Sequence, residues 1–175
     1  NVRLPVWGWA DEGEEVTVSF RNSKATTIAK AGKWQVTLGS FKAGGPDQLA
    51  VSGKNTLTLT NVMVGEVWVC SGQSNMEWPV ESSNNAAAEI ASANDARIRE
   101  FAIPHSYSEK PEAELAGGSW AHADPEHVGR FSGVAYFFAR DLHRDLNVPI
   151  GLINTSWGGK MIEVFMSAES LASDP

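Results

Sequence analysis

The chain has 175 residues, of which 42% are apolar and 20% charged, as is usual for a folded globular protein and not for a disordered one. The net charge of −7 and the pI near 5.1, with lysines and arginines scattered along the chain, argue against a nucleic-acid partner. The single cysteine, Cys70, excludes an internal disulfide and a cysteine-based zinc site, and no apolar run is long enough to predict a membrane-spanning helix.

The first third of the chain has the sequence pattern of an all-β domain. Three segments alternate apolar and polar residues, as half-buried strands do: 16–20, 34–38 and 56–60. Turn-forming residues separate these segments: 11–13, 31–33 and 44–47. Short strands at this spacing predict a small β-sandwich over residues 1–64. Trp7 and Trp9 are predicted to pack in its core, with a sugar-stacking platform as the alternative.

From residue 65 onward the pattern changes to strands that alternate with helices. Short apolar runs predict strands that are buried on both faces: 66–70, 98–103 and 150–154. Cys70, at the end of the first run, is predicted to be a buried strand thiol. Residues 86–93 predict a short helix, and residues 133–146 predict an amphipathic one whose apolar face contains Val134, Phe137, Phe138 and Leu142. This alternation predicts an α/β domain with a parallel sheet over residues 65–175.

Ser74 lies just beyond the first of these strands, in the polar turn Gly72-Gln73-Ser74-Asn75-Met76. Ligands of open parallel sheets bind beyond the carboxyl ends of the strands, so a hydroxyl in this turn is exposed to substrate. Backbone N–H groups of such a turn can stabilise an oxyanion. The turn differs from the Gly-x-Ser-x-Gly elbow of α/β-hydrolases, because Met76 stands at the second glycine. On position alone, a turn-forming or helix-capping serine is the stronger interpretation.

Three separate blocks of the sequence occur in the order found in one known enzyme family. Residues 65–78, 131–140 and 149–159 resemble the sialate O-acetylesterase family, which belongs to the SGNH hydrolases and is similar to acetylxylan esterases. The opening segment 5–10 resembles the β-domain that precedes the catalytic domain in these proteins. The resemblance implies that an incomplete flavodoxin-like, three-layer SGNH-hydrolase domain follows the β-sandwich. It also implies a secreted or periplasmic location.

The resemblance assigns roles to individual residues of these blocks. It implies that Ser74 is the catalytic nucleophile and that the N–H of Ser74 is one oxyanion donor. The resemblance also matches Gly158-Gly159 to a second oxyanion block, where the missing β-carbon lets a backbone N–H approach the substrate. It does not decide which of the two glycines faces inward. Gln73 and Asn75, on either side of the nucleophile, are predicted to be oxyanion or substrate-binding residues.

A serine nucleophile requires a base and a carboxylate that orients the base. In SGNH hydrolases both come from a late Asp-x-x-His-like block, and a further oxyanion asparagine comes from a middle block. Neither block follows Gly159 in this sequence. The chain is therefore expected to be the N-terminal portion of a truncated esterase domain and to be inactive alone. Its expected partner is the remaining C-terminal part of that domain, in the same or a cleaved chain.

The four histidines of the chain are candidates for the missing base. Asp124-Pro125-Glu126-His127 is an Asp-x-x-His pattern, but it precedes the helix over 133–146 and so comes too early in the chain; it is predicted to be non-catalytic. His105 and His122 are predicted to be loop residues and His143 a helix-surface residue. No two histidines have the i, i+4 spacing of a helical zinc pair, so no metal is predicted.

The predicted function is hydrolysis of acetyl esters on sugars through an acetyl-serine intermediate, with no metal or organic cofactor. The expected partner is an acetylated carbohydrate, either sialic acid or a plant or microbial polysaccharide, and neither a nucleic acid nor a membrane. The alternative is a non-catalytic carbohydrate-binding or structural module with a degenerate esterase scaffold. Labelling of Ser74 by a serine-acylating probe in the complete protein would distinguish the two hypotheses.

Overall fold

A computed structural model describes residues 3–108 and 110–173, which divide into two units after Gly65. The first unit contains six strands: β1 Leu4–Trp9, β2 Glu15–Phe20, β3 Ser23–Ile28, β4 Lys33–Leu38, β5 Gly44–Ser52 and β6 Thr56–Val64. They form two antiparallel sheets, one with the order β1-β4 and one with the order β3-β2-β5-β6. The three predicted strands are confirmed, and β1, β3 and β5 are additional.

The predicted turn over residues 44–47 is wrong, because these residues form the start of β5. Gly44 pairs with Val64 and Asp47 pairs with Val62 on β6, with a shift of register between the two pairs. A β-bulge of this kind accommodates glycine and proline at the end of a strand. The turn composition therefore marks an irregular strand and not a connection between strands.

The predicted burial of Trp7 and Trp9 is also wrong, since these side chains are 66% and 56% exposed. Residues alternate between the two faces of a strand, so both tryptophans of β1 point away from the core while Gly8 faces it. The buried Trp34 ring occupies the space beside Gly8, where an added Cβ would lie 2.8 Å from the ring. The Trp34 indole N–H donates to the Trp9 carbonyl oxygen over 3.3 Å.

The second unit contains a four-stranded sheet with the order β7-β10-β8-β9. Its strands are β7 Glu66–Cys70, β8 Asp95–Ala102, β9 Trp120–Ala123 and β10 Ile150–Asn154. The three predicted strands, β7, β8 and β10, are parallel, whereas β9 is an additional strand antiparallel to β8. The helices are α1 Ser74–Glu77, α2 Ala86–Ser92, α3 Gly133–Leu146 and α4 Ala168–Ala172, with 3₁₀ turns at Val80–Ser82, Val128–Arg130 and Ile162–Phe165. None of the helices within 3–108 and 110–173 is long and apolar enough to cross a membrane.

The helix α3 has the predicted bounds, and Phe137 and Leu142 of its predicted apolar face pack against the core, but the other two residues of that face do not. Its buried residues include Ala135, Ala139 and His143, whereas Val134 and Phe138 are exposed. The small alanines let the helix backbone approach the sheet closely, and Phe138 instead contacts the Trp68 ring edge-on with centroids 5.0 Å apart.

The prediction of His143 as a surface residue is wrong for the same reason. It lies four residues after Ala139, on the face that packs against the sheet, and it is buried. Its Nδ1 is 2.5 Å from the Val148 carbonyl oxygen, and its Nε2 is 3.1 Å from Oδ2 of Asp95. These two contacts satisfy both ring nitrogens, so His143 has a structural role within the unit.

The prediction that β7 is buried on both faces is wrong as well. Val67 and Val69 are 60% and 68% exposed, because they point to the same face of β7 and no described element covers that face. Cys70, at the end of β7, is buried as predicted, and burial raises the pKa of its thiol.

Candidate active site

The segments that leave the three parallel strands lie side by side at the carboxyl edge of the sheet. Cys70, Asn154 and Ala102 form the last register of β7, β10 and β8. Beyond this register the N–H of Thr155 donates to the Cys70 carbonyl oxygen over 2.8 Å. The N–H of Ile103 donates to the Asn154 carbonyl oxygen over 2.9 Å. The loops after these strands therefore meet at one position, where ligands of parallel sheets bind.

Ser74 begins the short helix α1 in the loop after β7. Gly72 has a φ of +147°, a conformation that suits glycine, and its carbonyl oxygen accepts a 2.9 Å hydrogen bond from the N–H of Trp157. The Gln73 carbonyl oxygen accepts hydrogen bonds from the N–H groups of Met76 and Glu77, both over 3.0 Å. The Ser74 side chain is exposed, and neither its hydroxyl nor its N–H has a hydrogen-bond partner among the described residues.

The loop after β10 brings Gly158 next to Ser74. A Cβ added to Gly158 would lie 3.3 Å from Oγ of Ser74 and 2.5 Å from Oε2 of Glu77. The N–H of Gly158 donates to the same Glu77 oxygen over 2.6 Å. Gly159 has a φ of +73°, and its N–H has no acceptor within the described part of the chain. The structure therefore brings together Ser74 and the glycine pair, while the side chains of Gln73 and Asn75 on the same turn are exposed.

The loop after β8 adds His105, which is a loop residue as predicted but whose contacts with the site the sequence did not predict. Its Nε2 is 3.1 Å from the Ser156 carbonyl oxygen and 3.5 Å from Oε1 of Glu77. Its ring stacks on Trp157 with centroids 4.1 Å apart and an interplanar angle of 7°. The available sequence signal was its place two residues after Ile103, where a parallel strand ends at the ligand-binding edge.

An aromatic and cationic cluster continues from Trp157 into the same loops. The Tyr107 ring lies 4.8 Å from that of Trp157. The ammonium of Lys160 lies 4.5 Å from the Trp157 ring centroid and donates a hydrogen bond to the Tyr107 hydroxyl. Indole faces attract cations, so these contacts hold Lys160 beside the glycine pair.

A buried polar network lies behind the loop after β10. Oε2 of Glu100, on β8, accepts the N–H of Ser132 over 3.1 Å, and Oε1 accepts the Asn154 side-chain amide over 3.4 Å. Oδ1 of Asn154 in turn accepts the hydroxyl of Ser156 over 2.6 Å and its N–H over 3.0 Å. Burial raises the pKa of Glu100 from 4.5 to about 7, although the hydrogen bonds from Asn154 and Ser132 oppose the rise.

We expect the Glu100→Gln variant to lose less stability than the wild type when the pH rises from 5 to 8. The pKa of Glu100 is higher in the folded than in the unfolded chain, so the stabilisation by its proton is present below pH 4.5 and is lost as the pH rises through 7. Over this interval the loss is roughly 2–3 kcal/mol of unfolding free energy. Urea denaturation at the two pH values measures it, with the exposed Glu126→Gln as control. Equal pH dependence in all three proteins would contradict the prediction.

The Asp124 and His127 side chains are hydrogen-bonded, with 2.8 Å between Oδ1 and Nδ1. His122 is not the predicted loop residue, because it lies on β9 and pairs with Arg99 of β8; its Nε2 is 3.0 Å from the other Asp124 oxygen. The cluster follows Ala123, which pairs with Asp95 at the amino end of β8, whereas Ser74 lies beyond the carboxyl ends of the parallel strands. The structure thus does not bring this Asp-x-x-His pattern to Ser74. Across residues 3–108 and 110–173, no group of three or more His, Cys, Asp or Glu side chains could hold a metal ion.

Comparisons with known proteins point to one family. A family model described as carbohydrate esterase, sialic acid-specific acetylesterase, matches residues 64–173. The chain is 34% identical over 188 residues to the sialate O-acetylesterase of Rattus norvegicus and 32% identical over 186 residues to that of Homo sapiens. These alignments cover 95% of this chain but 34% and 36% of the relatives, so the chain spans about a third of their length. It is also similar to the crystal structure of a carbohydrate acetylesterase from Xanthomonas citri, with a TM-score of 0.95, 44% identity, and coverage of 98% of this chain and 40% of that one.

Proposed function

We propose that this chain, which belongs to the sialic acid-specific acetylesterase family of carbohydrate esterases, carries the nucleophile of an enzyme that hydrolyses acetyl esters on carbohydrates. The observation that carries the proposal is the exposed Ser74 hydroxyl at the carboxyl edge of a parallel sheet, with Gly158 against it. In the proposed reaction Ser74 attacks the acetyl carbonyl, and the sugar hydroxyl leaves. Water then hydrolyses the acetyl-serine, releases acetate and restores the hydroxyl.

We propose that the N–H groups of Ser74 and Gly159 stabilise the oxyanion that forms during this attack. Both N–H groups lack an acceptor within 3–108 and 110–173, which leaves them available to a substrate oxygen. The N–H of Gly158 is already engaged by Glu77, which favours Gly159 as the second donor. Gln73 and Asn75 are proposed to contact the substrate from the exposed surface of the same turn.

The proposal also concerns the parts of the protein that complete the site. We propose a β-sandwich-like domain over 1–64 and, over 65–175, the N-terminal portion of a flavodoxin-like SGNH domain. The base and its orienting carboxylate would come from the remaining C-terminal part of that domain. No organic cofactor, nucleic acid or membrane is needed for this chemistry, and the family resemblance favours a secreted or periplasmic location.

The experiment that tests this function is release of acetate from acetylated carbohydrates by the full-length protein. Acetylated xylan and O-acetylated sialic acid are compared with an aryl acetate and with an aryl butyrate. We expect acetate release from at least one carbohydrate, and its identity gives the substrate class. Hydrolysis of the aryl esters without any release from carbohydrates would contradict a carbohydrate substrate, and no hydrolysis at all would contradict the esterase.

The Gly158→Ala variant is expected to reduce kcat by about 10²-fold with a smaller change in KM. The added Cβ would lie 2.5 Å from the Glu77 carboxylate and 3.3 Å from Oγ of Ser74, so both groups must move. Steady-state kinetics on an aryl acetate measures the two constants. The control is Gly39→Ala, whose added Cβ meets no atom within 4 Å. A Gly158→Ala enzyme with wild-type kcat would contradict the close approach proposed for the site.

A further inference from the structure

We propose that Glu77 is a positioning residue of the esterase site: its carboxylate holds the Gly158 N–H and thereby fixes the turn that presents Gly159 to the oxyanion. This inference rests on the proposed esterase function and adds a residue that the sequence blocks leave without a role. Glu77 lies three residues after Ser74 on α1, so the same short helix carries the nucleophile and the group that binds the opposite loop.

The first argument is the geometry of the contact between Glu77 and Gly158. The distance of 2.6 Å from N to Oε2 is short for an N–H···O hydrogen bond, and a carboxylate is a stronger acceptor than a neutral group. A side chain at Gly158 would displace this carboxylate, because an added Cβ would lie 2.5 Å from the same oxygen. The missing side chain of Gly158 therefore makes room for the Glu77 carboxylate.

The second argument is that other contacts hold both ends of this link. The Trp157 N–H donates to the Gly72 carbonyl oxygen over 2.9 Å, which fixes the residue before Gly158 to the nucleophile turn. His105 lies against the other oxygen of Glu77 at 3.5 Å while it stacks on Trp157. The carboxylate is thus oriented from the loop after β8 and bonded to the loop after β10.

The third argument concerns which backbone N–H group of the turn remains available to a substrate oxygen. A hydrogen bond from Gly158 to Glu77 makes that N–H unable to bind a substrate oxygen, because a negatively charged acceptor already occupies it. The next residue, Gly159, has a φ of +73° and an N–H without an acceptor in the described residues. Only the φ and ψ rotations of Gly158 separate its own N–H from that of Gly159, so holding the Gly158 amide anchors one end of the segment that directs the Gly159 N–H. Preorganised donors of this kind stabilise the transition state more than the bound substrate.

The test compares three substitutions of Glu77 in the full-length protein. Glu77→Gln keeps an oxygen at the same reach but removes the charge, whereas Glu77→Asp keeps the charge but shortens the side chain by one methylene. If the hydrogen bond positions the turn, Gln should retain kcat within about fivefold, and Asp and Ala should each lose about 10- to 100-fold in kcat with KM nearly unchanged. The matched control is Glu81→Gln, a carboxylate of the following 3₁₀ turn that does not contact Gly158.

Two further measurements separate this inference from folding and from the proposed function. Thermal unfolding of each variant shows whether it is folded. If the Glu77→Ala variant does not fold, the kcat values of the Gln and Asp variants, which keep a polar group, can still be compared with each other. Ser74→Ala is assayed in parallel, because an active Ser74→Ala enzyme would overturn the esterase proposal itself. With Ser74→Ala inactive, wild-type or higher kcat in Glu77→Asp would overturn the positioning role. A Gln variant as impaired as Asp would overturn it too, because an oxygen at the same reach would then not be sufficient to hold the turn.

Discussion

The Ser74→Ala variant of the full-length protein is expected to lose about 10³-fold or more in acetylesterase turnover while it remains folded. Removal of the hydroxyl removes the covalent route, because the Ser74 Oγ is the hydroxyl that lies against Gly158, 3.3 Å from the position of an added Cβ. The Ser74 side chain is exposed and makes no hydrogen bond to another described residue, so its loss should cost little stability.

The measurement is kcat on an aryl acetate and on an acetylated carbohydrate, with the unfolding temperature of both proteins recorded. The matched control is Ser71→Ala, another exposed serine of the same loop, which should keep most of the turnover. Trapping of an acyl-enzyme in the wild type and its absence in Ser74→Ala would identify the attacking oxygen directly. A Ser74→Ala enzyme that retains a tenth of wild-type turnover would exclude Ser74 as the nucleophile.

Residues 1–175 expressed alone are expected to show no measurable acetylesterase activity. Ser74 requires a base that takes its proton, and no imidazole is hydrogen-bonded to its hydroxyl within 3–108 and 110–173. The nearest candidate by loop position, His105, contacts the Ser156 carbonyl oxygen and Glu77 instead. The Asp124–His127 pair lies toward the other end of the sheet.

The test is to assay the 175-residue chain on p-nitrophenyl acetate and then to add, as a second polypeptide, the segment that corresponds to the rest of its longer relatives. Activity that appears only on mixing supports a base supplied by that segment. The exposed face of β7, with Val67 and Val69, should then become protected from hydrogen exchange if the segment packs on it. Activity of the chain alone would contradict the prediction, and its loss in His105→Ala or in His127→Ala would identify the base.

Sequence patterns were sufficient to predict the elements that depend on local periodicity. The alternating segments of the first unit form β2, β4 and part of β6, and the apolar runs of the second unit form β7, β8 and β10. The helix over 133–146 has the predicted bounds, because Ser132 accepts the N–H of Ala135 as an N-cap and Asn147 ends the helix in the left-handed conformation. The position of Ser74 in a turn could be predicted from the same information, because the predicted end of β7 determines where the next turn begins.

Tertiary packing decided the buried faces of β1 and α3, where the sequence pattern predicted the wrong side chains to be buried. Periodicity states that Trp7 and Trp9 share one face of β1, but only the position of the Trp34 ring beside Gly8 determines that this face points outward. Likewise, the two alanines of α3 allow a closer approach to the sheet than Val134 and Phe138 would, and His143 becomes buried as a result. An apolar side chain is favoured in any core, so its hydrophobicity does not identify the neighbour against which it packs.

The composition of the candidate site divides in the same way. Ser74, Glu77 and the glycine pair belong to blocks that could be recognised in the sequence. The role of Glu77 and the presence of His105 in the site, in contrast, depend on contacts across 81 and 51 positions, to Gly158 and Ser156. No local pattern encodes such a contact, because it exists only where the loops after β7, β8 and β10 converge. The parallel sheet brings these loops together by aligning the carboxyl ends of its strands at one edge.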